Sequence, residues 1–410
     1  MSNWPDWLPL REELRPLTPY GAPQVPATAR MNTNENPYPP SPRVIDAIRR
    51  TAEGRLNIYP DPHATAFRRT AAALFNVDPE WILPANGSDE NLTIITRSFC
   101  DAGQSIGYPY PSYVLYESLA QIQDCGVVRL RLNSQWQWDK AAAAELRRSL
   151  RVFYVPNPNS PTGTLWSADQ LTELLPEKGV LVLDEAYGDF CSKPHRGELL
   201  KDARFENRLV VTRTFSKSYS LAGIRFGFAI AHPSLIDGMR KVKDSYNCDA
   251  ISIAAATAAL EDQAWMEANR QKIIATRGRL ATALSGLGFC VHPSEANFIW
   301  VTHPTGRHRE IYEQLKERRI LVRYMRFPDG NADVSMLDGQ VAFLCYQATY
   351  YLFSGQVPGR QGSAHDSIPT YIKRTYSDLL SFRNQVCQAQ RKTGRFACRC
   401  RHTLVLGCLS

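Results

Sequence analysis

The chain has 410 residues, long enough to bury a large core and to form two domains. Charged residues make up 21% of it, an ordinary share for a globular enzyme, and no run of 18 apolar residues points to a membrane-spanning helix. The net charge of +8 does not argue for a nucleic-acid partner, because nine Lys and Arg against two Asp lie after residue 340 and leave the preceding body close to neutral.

In chain order, Met1–Leu10 lacks the basic segment and apolar run of a secretory leader, so the cytoplasm is the expected location. The first forty residues are proline-rich and end in Asn34-Glu35-Asn36-Pro37-Tyr38-Pro39-Pro40, which reads as an arm. Helical patterns cover Pro42–Glu53 and His63–Phe75, with Asn57–Pro62 forced into an extended loop by its two prolines. Ser88 is placed to cap a helix running to Phe99, with Asp89 and Glu90 in its first turn. Short apolar runs at Val152–Val155, Val180–Leu183, Leu209–Val211 and Phe226–Ala231 alternate with amphipathic stretches. They predict buried strands of a mostly parallel sheet.

One long helical region is expected over Ile251–Leu284, followed by a βαβ-like fragment from Phe289 to Arg323. After about Asp338 the composition shifts to a basic tail with five of the ten cysteines; the other five are scattered singly and read as buried, reduced thiols. The expected organisation is α/β. An arm and part of a small domain occupy residues 1–49, and a large cofactor-binding domain with a mostly parallel central sheet flanked by helices occupies 50–285. An incomplete smaller α/β domain follows over 286–340, then an atypical tail over 341–410.

The chemistry concentrates in Thr214-Phe215-Ser216-Lys217-Ser218-Tyr219-Ser220-Leu221-Ala222-Gly223-Ile224-Arg225. A lysine just past a strand, buried beside cationic groups, suits an amine that condenses with an aldehyde. Thr214 and Ser216 can donate hydroxyls to a phosphate, and Arg225 can add a two-pronged contact. Asp184 closes the run Val180–Leu183, at the strand end where open α/β sheets bind ligands. A carboxylate there can keep a pyridine nitrogen protonated, and Tyr187 can donate to a phenolic oxygen.

Asn86–Glu90 opens a helix whose free N–H groups at Gly87, Ser88 and Asp89 can hold an anion, although alone it reads as an ordinary capped helix. Tyr108–Tyr113 offers aromatic faces for a flat cofactor. In Asn157–Gly163, asparagine side chains can donate to a ring substituent. Cys398, Cys400, His402 and Cys408 are of zinc-binding type but fit no usual spacing, so no metal is assigned.

Together these segments, with Asn34–Pro37, Tyr59-Pro60-Asp61-Pro62 and Pro161-Thr162-Gly163, resemble the fold-type I pyridoxal-phosphate (PLP) aminotransferases, within them most closely the histidinol-phosphate aminotransferase family. The resemblance implies that Lys217 carries PLP and shuttles the substrate's Cα proton. It implies that Asp184 pairs with the pyridine nitrogen, Tyr187 with the phenolic oxygen, and Tyr113 with the ring face. Ser88, Asp89, Thr214, Ser216 and Arg225 would hold the 5′-phosphate, and Tyr59 would reach it from the partner subunit of a homodimer. Tyr20, Asn34 and Arg323 lie where the family contacts its substrates, here L-histidinol phosphate and 2-oxoglutarate or glutamate.

The sequence departs from the family at two places. Ser160 stands where many members have Asn, leaving Asn159 or Asn157 to make that contact. After Asp338-Gly339 the family's Leu-Arg-containing strand, which serves the donor's carboxylate, does not follow. Two alternatives stand beside it: an aromatic amino-acid aminotransferase, since these enzymes share most of the motifs, and a PLP-binding protein with turnover impaired by the altered end.

Overall fold

A computed structural model of the chain describes residues 5, 7–17 and 25–325, together with the backbone of 340–344. A two-residue strand, β1 (Ala29–Arg30), leads into α1 (Pro42–Ala52) and α2 (Thr65–Phe75). The sheet-building stretch then runs β2 (Ile82–Ala85), α3 (Ser88–Phe99), β3 (Ser105–Tyr110), α4 (Leu115–Ile122), β4 (Gly126–Arg131), α5 (Lys140–Leu146), β5 (Leu150–Pro156), α6 (Ala168–Thr172), β6 (Val180–Asp184), β7 (Leu209–Thr214) and β8 (Gly227–Ala231). After it come α7 (Pro233–Arg240), α8 (Ala250–Glu261), α9 (Gln263–Gly286), β9 (Cys290–Val291), β10 (Phe298–Thr302), α10 (His308–Glu317), β11 (Ile320–Leu321), β12 (Arg323–Met325) and β13 (Gln340–Leu344).

The seven-stranded sheet has the order β2-β8-β7-β6-β5-β3-β4, and only β8 runs against the rest. Its centre is apolar on both faces, as a parallel sheet covered by helices requires. Along β6, Leu181 and Leu183 join the core that includes Phe67 of α2 and Ala255 of α8. Val180 and Val182 face the opposite core with Leu92 of α3, Tyr116 of α4 and Ile236 of α7. That alternation is the strand's two-residue period divided between two helical layers.

The helices start where short polar side chains can accept their free N–H groups. Ser41 accepts from Arg43 N ahead of Pro42, and Asp249 accepts from Ser252 N. The long helix expected over 251–284 is two helices, because Asp262 ends α8 and its carboxylate caps α9 by accepting from Trp265 N. Ser88 is likewise not a cap: Gly87, at φ +84°, is the cap residue, and Ser88 is the first residue of α3.

A second, antiparallel sheet has the order β12-β13-β10-β9, with Met31, Leu284, Phe298, Val301 and Val322 in its core. Residues 341–344, read as the start of the tail, pair instead as part of β13 between β10 and β12. The sequence Val341-Ala342-Phe343-Leu344 is of strand-favouring composition, which suits that place. The arm is tied to this region by a short parallel ladder, Ala29 opposite Ile320 and Arg30 opposite Leu321.

Of the five cysteines before the tail, Cys100, Cys125, Cys191 and Cys248 are buried, whereas Cys290 is exposed. The tail cysteines and Tyr20 lie outside the described residues.

Candidate active site

A cavity of about 390 Å³ opens at the carboxyl ends of β6 and β7, within the range of small-molecule sites. Ser88, Asp89, Tyr113, Asp184, Tyr187, Thr214, Ser216, Lys217, Arg225, Asn34 and Arg323 all line it. Strand register explains the grouping: Asp184 is the last residue of β6, directly opposite Thr212 of β7, and Thr214 ends β7 three residues before Lys217.

Asp184 is buried, and its partners are all neutral donors. Tyr116 Oη donates to Oδ2 at 2.9 Å, Thr212 Oγ1 to Oδ1 at 3.3 Å and Ala186 N to Oδ1 at 3.2 Å. Burial pushes its pKa up to about 6, with the Tyr116 hydroxyl opposing and the Asp89 carboxylate adding to the rise. A buried carboxylate held by three neutral donors is short of one cation. The N–H of a pyridinium ring would supply that charge.

Lys217 is half-buried by surface area because its flank faces the cavity, yet its amine lies deep enough that burial pulls the pKa down to about 8. Asp89 and Glu35 work against that shift, while Arg225 and Arg323 work with it. Its Nζ donates to Thr33 O at 2.9 Å, and Asn36 Nδ2 donates to the carbonyl oxygens of Lys217 at 2.9 Å and Ser218 at 3.3 Å.

Beside the lysine, Thr214 Oγ1 donates to Ser216 Oγ at 3.1 Å, and Arg225 Nη1 to the same hydroxyl at 3.3 Å. Arg225 adopts φ +54°, an uncommon left-handed conformation for a side-chain-bearing residue. The N-terminus of α3 completes this cradle, and two glycines let the backbones close on it. A Cβ on Gly87 would lie 2.8 Å from Arg225 Nη2, and one on Gly227 would lie 2.6 Å from Gly87 C. Hydroxyls, a guanidinium and helix N–H groups make a donor set for a phosphate dianion. With the amine and the buried acid, these residues fit pyridoxal phosphate.

Three expected contacts are not brought to the cavity, or only in another form. Asn159 is fully buried and does not line it: Nδ2 donates to Pro111 O at 3.3 Å and Thr162 Oγ1 at 3.0 Å, and Oδ1 accepts from Ser112 Oγ at 3.1 Å. The loop consumes the whole amide, and Asn157 is similarly engaged with Trp166 at 3.1 and 2.8 Å. Ser160 and Pro161 face the cavity in their place. Tyr59 is 77% exposed, away from the cavity, and stacks on Tyr246 at 4.5 Å. Asp89 lines the site, but its carboxylate accepts from Tyr113 Oη at 3.4 Å and sits 4.0 Å from Arg225 Nη2, so its backbone N–H is the group suited to an anion.

Several functional groups escaped the sequence reading. Tyr116 and Thr212 hold Asp184, and Thr33, Asn36 and Glu35 bring the arm against Lys217. Thr212 carried the clearer signal, as a hydroxyl directly after the apolar run Leu209–Val211, in the strand that neighbours the one ending in Asp184.

The sequence matches the aminotransferase class I and II family over residues 28–333, and the chain belongs to that family. Among its curated relatives is histidinol-phosphate aminotransferase of Rhodopirellula baltica, 48% identical over 323 residues, which span 78% of this chain and 88% of that one. Histidinol-phosphate aminotransferase 1 of Nostoc sp. is 40% identical over 75% of this chain and 85% of its own length. Among solved structures, histidinol-phosphate aminotransferase from Sinorhizobium meliloti in complex with pyridoxal 5′-phosphate superposes with a TM-score of 0.71. It is 27% identical, and the match covers 81% of this chain and 90% of that one.

Proposed function

We propose that this chain transfers the amino group of L-histidinol phosphate to 2-oxoglutarate, forming imidazole-acetol phosphate and L-glutamate in L-histidine biosynthesis. Its cofactor is pyridoxal 5′-phosphate. The observation that carries the reading is the meeting of a buried amine with a lowered pKa and a buried acid lacking a cation, in one cavity with a phosphate cradle.

When bound, the cofactor supplies an aldehyde that condenses with amines and a ring that accepts the electron pair left at the substrate's Cα. Lys217 Nζ would hold the cofactor between turnovers and would act as the base that takes the proton from the substrate's Cα. With a pKa near 8, a useful fraction of that amine is unprotonated at neutral pH. Asp184, its carboxylate fixed by Tyr116 and Thr212, would keep a proton on the pyridine nitrogen. Tyr187 Oη, which accepts from Asn34 Nδ2 at 2.9 Å, presents its own proton to the phenolic oxygen. Tyr113 covers the ring face. Ser88 and Asp89 N–H, Thr214, Ser216 and Arg225 bind the 5′-phosphate, while Asn34 and Arg323 orient the substrate from the other wall.

The reading includes a homodimer in which Tyr59 reaches the partner's phosphate. Its support is an exposed apolar loop: Leu56 is 53%, Ile58 48% and Tyr59 77% exposed. Light scattering of purified protein checks the assembly.

Borohydride reduction of the PLP-loaded protein should attach the cofactor to Lys217. Histidinol phosphate should then bleach the bound-cofactor absorbance of unreduced protein, and 2-oxoglutarate should restore it. A protein that binds no PLP, or whose absorbance ignores histidinol phosphate, would defeat the reading. Recovery blocked only at the 2-oxoglutarate step would instead favour turnover impaired by the altered end.

A further inference from the structure

Behind the cavity, on the other face of the strands that end in Asp184 and Thr214, lies a buried set of charges that the chemistry above does not use. By strand alternation Thr212 and Thr214 share the face of Asp184, so Arg213 points to the opposite one, where it meets Glu185, the residue just past the end of β6. Arg213 is 3% exposed and forks between two buried carboxylates. Its Nη2 lies 2.7 Å from Glu185 Oε2, and its Nη1 donates to Asp189 Oδ1 at 2.9 Å.

The other Asp189 oxygen, Oδ2, accepts from Ser218 Oγ at 2.6 Å. Arg196 Nη1 lies 3.5 Å from Asp189 Oδ1, His195 Nε2 contacts Glu185 Oε1, and Arg270 Nε donates to the Asp189 carbonyl oxygen. The Phe75 ring closes the set, with the Arg213 guanidinium 5.2 Å from its centroid. Burial alone would raise both acids. Burial is the largest single influence, but the Arg213 charge together with His195 at Glu185, and with Arg196 and the Ser218 hydroxyl at Asp189, outweighs it and holds both below the ordinary carboxylate range.

The chain positions matter more than the charges. Glu185 is the residue after Asp184, and Ser218 is the residue after Lys217. A two-pronged guanidinium therefore links the neighbour of the ring-facing acid, through Asp189, to the neighbour of the reacting amine. A scaffold meant only to hold β6 against β7 does not need a bond to Ser218, since the strand ladder already does that.

We propose that Asp189 and Arg213 are positioning residues for the reaction: through Ser218 and Glu185 they fix Lys217 Nζ relative to Asp184. This rests on the role given to Lys217 under the proposed function. None of Glu185, Asp189, Arg213 and Ser218 lines the cavity, so the effect is exerted through the placement of the amine.

The test is Ser218→Ala, which removes one hydroxyl and leaves the Arg213–carboxylate pairs in place, with Asp189→Asn as the second variant. Each is compared with the parent in apoprotein melting temperature, PLP dissociation constant, kcat and KM, and the kinetic isotope effect with Cα-deuterated histidinol phosphate. Ser218→Ala should melt within about 2 °C of the parent, the scale of one modest hydrogen bond. It should bind PLP about tenfold more weakly and lose about tenfold in kcat with KM little changed, as a misplaced reacting group does. The deuterium effect should rise, because proton transfer at Cα becomes slower than the steps around it. Asp189→Asn should change the same quantities in the same direction.

A Ser218→Ala protein whose PLP constant, kcat and deuterium effect all stay within twofold of the parent overturns the proposal. So does one whose losses simply follow its melting temperature at an unchanged isotope effect. If the parent itself traps no cofactor at Lys217 under borohydride, the functional reading falls and takes this proposal with it. If the parent traps it and Ser218→Ala is indistinguishable, only this proposal falls.

Discussion

On one wall of the cavity, Asp184 and Thr214 end strands whose every residue is buried, with Lys217 three residues further on. On the other, Asn34 follows a two-residue strand, and Arg323 opens a three-residue one. The first wall is held by the register of adjacent long strands. The second is joined to the arm by a short ladder, 29 with 320 and 30 with 321, by Met31 in the small-sheet core and by Asn297 Nδ2 donating to Asn34 O at 3.4 Å. The difference assigns the walls different work. Groups that move protons need fixed geometry, because a displacement of about 1 Å can cost on the order of a hundredfold in rate. Groups that admit and release substrate can sit on a lighter frame.

If so, substitutions on the long-strand wall should lower kcat, and those on the arm and small-sheet wall should mainly raise KM. The largest effect should come from Lys217→Ala. Turnover should fall by at least about 10⁴-fold, as expected when a residue serves as both nucleophile and proton carrier, while circular dichroism stays unchanged. Steady-state assay with a single-turnover control decides it; residual activity within a hundredfold of the parent would break the assignment of this wall.

Asp184→Asn should cost about 10²–10³-fold in kcat, the scale of losing a fixed charge at the reacting centre. Its effect on the apoprotein should have the opposite sign at alkaline pH. The folded-state pKa of about 6 lies above the ordinary 3.8, so the fold holds a proton that the unfolded chain releases, and stability falls as pH rises between those values. Above pH 6 the burden is fully present, on the order of 3 kcal/mol, and the neutral amide removes it. The variant apoprotein should therefore gain melting temperature over the parent at pH 8 and little near pH 4. Scanning calorimetry at the two pH values measures the contrast; an equal shift at both would mean that Asp184 has its cation already.

The same contrast shows what could be read from the chain alone. Asp184 was legible because a polar residue closing a short apolar run marks a strand end, Lys217 because it follows such a run between hydroxyls and an arginine, and the central strands follow from those runs. The split at Asp262 was not, because the apolar pattern continues across it and only one side-chain cap interrupts the helix. Asn159 was assigned to the cavity because residue type does not reveal that Pro111, Ser112 and Thr162 already occupy its amide. Tyr116 resembled any aromatic on a helix face until the fold set its hydroxyl against Asp184. The arm's place against Lys217 depends on pairing residues almost 300 positions apart, which no local pattern encodes.

Arg225→Met keeps the proton-moving groups and removes the guanidinium of the phosphate cradle. One charge-assisted contact is worth about 1.5–3 kcal/mol, which corresponds to a PLP dissociation constant raised roughly ten- to a hundredfold. Because Arg225 is half exposed, its side chain at 51%, the lower figure is the expected one. At saturating PLP, kcat should recover to within a few-fold of the parent. Absorbance titration of the apoprotein checks the first part, and assay across PLP concentrations checks the second.

The smallest effect, and the sharpest comparison, belongs to Arg323→Lys. Arg323 lines the cavity from β12 and is half-buried there. A lysine keeps the charge but loses the planar fork that matches phosphate oxygens, so affinity for the phosphorylated substrate should fall by about 1 kcal/mol, a five- to tenfold rise in KM. kcat should change less than twofold, because a lysine keeps the charge that helps to hold down the Lys217 pKa. The KM of the variant should also rise more steeply with salt, since a point charge without paired hydrogen bonds is more open to screening. A fall in kcat equal to the rise in KM would mean that Arg323 helps to align the bond being broken, and the two walls would then share the chemistry.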